Sequence, residues 1–205
     1  MENKLVKLLG IALIMAMVMV GFVVAYVYYY YTAQIHVSVE TPKIQWVQGT
    51  DVSASIGTNT TWCQISLNNL EPNATTVYTN ALEFTVLNVS TNMKLEIVSI
   101  TGTSTIIWGI RFYVFQSGGS SSTLSLVDGS SVSIPGTDGS SNPVDQVGYR
   151  QSGAPFGYGS MSTPVDSNGF AGTSSVTYII AIEAYGKDGI STTQTATVEL
   201  RLIWS

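Results

Sequence analysis

The chain has 205 residues and carries 13 acidic side chains against 8 basic ones, a net charge of −5, with 10% charged and 45% hydrophobic residues. That is enough apolar material for one sizeable core behind a leader, and the acidic balance argues against nucleic acid or anionic lipid as a partner. The single cysteine, Cys63, excludes a disulfide within the chain and any Cys/His zinc spacing.

The first element is a leader, residues 1–33. Lys4 and Lys7 precede an uncharged run, residues 8–31, that ends in four tyrosines. As a helix this run reaches roughly 35 Å, enough to cross a ~30 Å hydrocarbon layer. The lysines place its N-terminus inside and the bulk of the chain outside, so the leader reads as a signal peptide or a membrane helix and the mature chain as extracellular. Setting aside Glu2, Lys4 and Lys7 leaves 12 acidic and 6 basic residues, a balance of −6 for the exported part.

Residues 34–43 form the second element. Ile35, Val37 and Val39 alternate with His36, Ser38 and Glu40, the period of a half-buried strand, and Pro42 closes it. No turn chemistry folds it back as a hairpin, so its pairing partner must come from elsewhere.

From residue 44 to 205 the pattern is all-β. Short runs rich in Val, Ile, Thr, Tyr and Trp are separated by Gly, Ser, Asn and Asp, which predicts an antiparallel, jelly-roll-like β-sandwich. Cys63, in "TWCQISL", is expected as a buried small hydrophobe. Core faces are expected from Leu82, Phe84 and Val86; from Ile106, Trp108, Ile110, Phe112 and Val114; from Val176, Tyr178, Ile180, Ile182 and Ala184; and from Ala196, Val198, Leu200, Leu202 and Trp204. Arg111 and Tyr113 fall on the opposite face of their strand.

Residues 116–175 are rich in Ser, Gly and Pro. They read as an excursion holding one hairpin, residues 123–127 and 131–134 around Asp128-Gly129, followed by an ordered loop. Tyr149, Phe156, Tyr158 and Phe170 stand in that polar stretch as candidate contact residues toward a neighbouring copy.

Chemistry is sparse. His36 is the only histidine, and no G-x-S-x-G elbow, phosphate loop or dinucleotide fingerprint occurs, so neither an enzyme nor a cofactor is expected. Asp166, Asn168 and Gly169 stand in the order of a calcium-loop start and make Asp166 and Asn168 the metal candidates. The distal Glu is missing, and turn chemistry is the expected role. Asn59, Asn73 and Asn88 open Asn-x-Ser/Thr triplets, the acceptor pattern for glycosylation on an exported chain.

The stretch "ISLNNLEPNATTVYTNALEFTVLNVSTNMKLEI", with Leu67, Asn69, Leu70, Pro72, Phe84, Val86 and Asn88, resembles the TasA/camelysin family of exported β-sandwich proteins. The closing "TTQTATVELRLIWS", with Glu199 and Trp204, is similar to that family's final strand. The chain departs from the family at Pro72-Asn73-Ala74 and at Asn88-Val89-Ser90, both turn positions. The resemblance implies a subunit of a biofilm fibre or bundling pilus, a homopolymer in which the N-terminal segment of one copy completes the sheet of the next. A membrane-anchored monomeric surface protein is the alternative the residues allow. A type IV pilin ranks below it, because Gly10 follows Leu9 and not a basic residue.

Overall fold

The computed structural model describes residues 44–56, 62–68, 70–87, 90–101, 106–151, 153–154, 167–190 and 196–204. The chain divides into two compact units, Met1–Glu40 and Thr41–Ser205, and the described residues all belong to the second. The leader and Ile35, Val37 and Val39 therefore lie outside them.

The described residues of unit two form an antiparallel β-sandwich of eleven strands. One sheet runs β1 (Ile44–Gln48), β4 (Thr75–Val86), β10 (Thr177–Gly186), β6 (Ile107–Ser125) and β7 (Ser131–Thr137), with β8 (Asp145–Arg150) also paired to β6. The other runs β2 (Ser53–Ile56), β3 (Trp62–Leu67), β11 (Ala196–Trp204), β5 (Thr91–Thr101) and β9 (Phe170–Gly172).

Alternation places the core. Leu82, Phe84 and Val86 of β4, Ile110, Phe112 and Val114 of β6, and Tyr178, Ile180, Ile182 and Ala184 of β10 line the inner face of the first sheet. Cys63, Ile65 and Leu67 of β3, Val198, Leu200 and Leu202 of β11, and Met93 and Leu95 of β5 meet them from the second. Phe84 is the centre of the aromatic packing: it stacks on Tyr178 at 5.1 Å and meets the edge of Trp46 at 5.3 Å. Each such buried aromatic removes about 150–250 Å² from water. Cys63 is fully buried, and burial pushes its thiol well above the usual range, which makes it inert.

Trp108 departs from the expected face. The pairing of β6 with β10 slips between Tyr185–Gly109 and Gly186–Ile107, and Trp108 is the residue skipped. A bulge of one residue reverses which side chains point inward. Ile107 is buried in its place, beside Ile106, which is buried as expected, while Trp108 is only partly buried, under the Lys187 ammonium at 4.3 Å.

The Ser/Gly-rich excursion is more ordered than the sequence suggested. β6 runs on through "SGGSSS" to Ser125, with register slips around Gly118 and Gly119, and pairs with β7. The Asp128-Gly129 turn forms as expected, with Gly129 at φ 88° and Ser130 N–H donating to Asp128 Oδ1 at 2.9 Å. Tyr113, Phe115 and Ala181, on the outer face of the first sheet, pack with Leu124 and Ile134 of this hairpin as a second small core. Buried Glu183 ties the two layers together, accepting from Tyr113 Oη at 2.5 Å and from Val127 N–H at 2.9 Å. The expected loop after the hairpin contains β8 and β9 as true strands.

One flank of the sandwich is closed by the chain itself. Between β1 and β2 the backbone crosses from one sheet to the other, held by Gly49 N–H on Ala81 O at 3.1 Å and Thr50 N–H on Asn80 O at 2.9 Å. A Cβ on Gly49 would lie 2.1 Å from Asn80 O, so only glycine fits this approach. Asp51 completes the crossing by accepting from Asn80 N–H at 2.8 Å and from the Thr79 hydroxyl at 3.2 Å.

Burial alone would raise the Asp51 carboxyl. Hydrogen bonds from the Asn80 N–H and from the Thr50 and Thr79 hydroxyls outweigh it and hold the group below its usual 3.8. A depressed folded value means that its stabilisation is complete above that pH and is lost as pH falls through the folded value. Asp51→Ala should therefore lower the urea midpoint at about pH 6, and the difference from the parent chain should shrink toward about pH 3. Equal differences at both pH values would show that the carboxylate is not what holds the crossing.

Candidate functional site

On the opposite flank, among the described residues, no strand joins the two sheets. There the first sheet ends at β8 and the second at β5, whose outer side is covered by β9 only at Thr91, Asn92 and Met93. Between β5 and β8 runs a cleft of about 570 Å³ with a mixed lining, apolar at Leu95, Ile97, Val147 and Tyr149 and polar at Lys94, Glu96, Ser99 and Ser167.

The backbone of β5 explains what this cleft offers. Its inner edge pairs with β11 over its length, with a slip at Val98 where Ile97 faces Leu200 and Ser99 faces Glu199. Backbone groups alternate between the two sides of a strand. The N–H of Leu95 points outward and is taken by Asp145 Oδ2 at 3.4 Å. Past that point, among the described residues, no strand pairs with the outer edge of β5. Apolar side chains beside a run of backbone donors and acceptors are the chemistry of strand addition.

Charge adds little here. Arg201 reaches Glu96 through Nε at 2.9 Å and Nη2 at 2.5 Å, but both side chains are 40–50% exposed, and such pairs contribute about 0–1 kcal/mol. Asp145 matters more. It opens β8, is buried, and its Oδ2 also accepts the Ser167 hydroxyl, while Oδ1 has no hydrogen-bond partner.

The sequence candidates fall as follows. Tyr149 lies in β8 and Phe170 opens β9. Both are half-buried against the main core, Phe170 at 5.1 Å from Tyr178, so they support this flank and are not set on an irregular loop. Tyr149 also lines the cleft. Phe156 and Tyr158 lie outside the described residues. Asn168 is exposed, next to Ser167, and Asp166 lies outside the described residues. Among the described residues no group of three or more His, Cys, Asp or Glu side chains is placed to hold a metal. Of the three sequons, Asn73 sits in an exposed turn at φ 53°, where a glycan has room. Asn59 and Asn88 are outside the described residues.

Sequence reasoning missed the β5 edge. Its face pattern was visible, since Met93, Leu95 and Ile97 alternate with Lys94 and Glu96. Whether a strand has a neighbour on each side is a property of topology, and no local pattern carries it.

No family model, no curated protein and no solved structure matches this chain. Among the described residues no helix is long and apolar enough to cross a membrane.

The edge geometry has a direct readout in amide exchange. In the unassembled chain the Leu95 amide, bonded to Asp145, should exchange more slowly than the Ile97 amide on the same side, by about tenfold for a hydrogen bond of ordinary strength. Equal exchange at the two would mean that the Asp145 contact is not populated.

Proposed function

We propose that this chain is the structural subunit of an extracellular filament, built when the N-terminal strand of one copy adds to the open β5 edge of the next. The observation that carries the reading is that, among the described residues, no strand pairs with the outer edge of β5 beyond Met93, where it borders a cleft of mixed polar and apolar lining. The same chain supplies a fitting occupant in residues 34–40, which alternate as a strand and have no hairpin partner in sequence. Past Leu95, β5 continues to Thr101, with a bulge at Val98, and offers this stretch to a donor of residues 35–40.

The energetics favour a durable joint. Ile35, Val37 and Val39 would each contribute about 1.5–3 kcal/mol on burial, and each backbone hydrogen bond a further 0.5–1.5 kcal/mol or so. A donor at one end and an acceptor elsewhere on the same subunit make a head-to-tail contact that does not close, which gives a fibre. The resemblance to TasA/camelysin proteins points the same way and implies a filament at the cell surface, after export through the plasma membrane. The asparagine of the exposed Asn73 turn is then the sequon most open to glycan addition.

The uncharged run of residues 8–31 favours a second reading, a monomeric surface domain held by a retained helix. The two part on one test. Val37→Asp would put a charge into the acceptor cleft and should abolish filaments, whereas Ser38→Asp, on the outer face, should leave them intact. Electron microscopy of the secreted product reads the result. Equal loss from both changes, or greater loss from Ser38→Asp, would reject residues 34–40 as the donor, and a chain that stays monomeric without either change would favour the anchored domain.

A further inference from the structure

Side-chain alternation forbids an incoming strand from slipping by one residue, because that would turn Ile35, Val37 and Val39 outward. It does not forbid a slip of two, which keeps every face and moves the strand by about 7 Å. A filament with one repeat therefore needs something at the acceptor that ends the pairing. We infer that Asp145, held by Ser167, is that stop: a positioning residue that bars the incoming strand from the Leu95 rung and makes Ile97 the first rung it can use. The inference rests on the strand-donation reading above.

Four observations carry it. β9 already occupies the rungs of Thr91 to Met93, so the edge can open only beyond them. The next outward donor, Leu95 N–H, is taken by the Asp145 carboxyl and not by a strand. Asp145 is 5% exposed and anchored a second time by the Ser167 hydroxyl, so it is enclosed where it stands. Its Oδ1 is buried with no hydrogen-bond partner, so a strand that displaced Oδ2 from Leu95 would leave the carboxyl with the Ser167 contact alone. Buried carboxyl groups stripped of donors are strongly disfavoured, and this sets the direction of the effect. The side chain thus fills, with one carboxyl oxygen, the place of a strand carbonyl, and offers no continuing backbone from which to extend the ladder.

Cross-linking in assembled filaments of the full mature chain reads the register. The donor carries Ser38→Cys, and the acceptor carries, in separate chains, Lys94→Cys, Glu96→Cys or Ser99→Cys; Cys63 is buried and inert. With Asp145 present, one acceptor position should dominate. With Asp145→Ala, filaments should still form, and a second position nearer Lys94 should cross-link with a yield within about threefold of the first, since two registers are then close in energy. Asp145→Asn, which keeps an oxygen for Leu95 N–H, should restore the single register, a rescue that a merely structural role would not give.

A single unchanged cross-link in Asp145→Ala filaments would overturn the stop while leaving donation intact. Filaments that cross-link at none of the three positions would overturn the placement on β5. Absence of filaments from the parent chain would strike at the donation reading itself. Should Asp145→Ala fail to fold, Ser167→Ala loosens the same carboxyl and decides between the first two outcomes, with a mixed register expected and a single one contrary.

Discussion

A β-strand whose outer edge is, among the described residues, paired at one end only is the constraint on which the rest of this structure turns. A sandwich of two open sheets has four edges, and each presents backbone donors and acceptors that must find water or a partner. Here the edges at β1 and β2 lie on the flank where the chain crosses between sheets, with Gly49 and Asp51 fixing the crossing. The edges at β8 and β5 are left on the other flank. They are treated unequally: β9 covers three residues of β5, the Asp145 carboxyl covers one more N–H, and the remainder faces the cleft. On the proposed reading, partial protection of this kind confines pairing to one place and one partner strand.

The core makes such an open flank affordable. Both sheets contribute continuous apolar faces, Phe84 joins Tyr178 and Trp46 in one aromatic group, and the β6–β7 hairpin adds a second apolar layer behind the first sheet through Tyr113, Phe115, Leu124 and Ile134. Val147 and Tyr149, which line the cleft, stand on β8, a strand hydrogen-bonded to the first half of the long β6. The edge proposed to take a strand is mounted on such elements and so is preorganised, which would leave little ordering entropy to lose on binding. The physical link from sequence to the proposed function therefore runs through rigidity as much as through the exposed edge.

Much of the fold was legible in the sequence because alternation is a local signal. The inward sets Leu82, Phe84, Val86 and Val198, Leu200, Leu202 face the core as the period of two requires, and Asp128-Gly129 turns the hairpin as its chemistry requires. Trp108 could not be read, since a bulge opposite Gly186 reverses the faces and leaves no trace in the alternation of β6. β8 and β9 were hidden for another reason. "DQVGYR" and "FAG" carry few apolar residues and depend on β6 and β5 for their pairing. The outer core was masked by the strand "RFYVF", apolar on both faces, which alternation alone cannot divide. For the candidate site, the donor pattern was plain in Ile35, Val37 and Val39, whereas the acceptor needed the strand order.

Electron cryomicroscopy of filaments assembled from the mature chain tests the central claim most directly. The account predicts that residues 35–40 of one copy lie as a strand along residues 96–101 of the next, with Val37 turned toward Val147 and Tyr149. Filaments in which the outer edge of β5 is covered by its own chain, or faces solvent while copies join elsewhere, would contradict it.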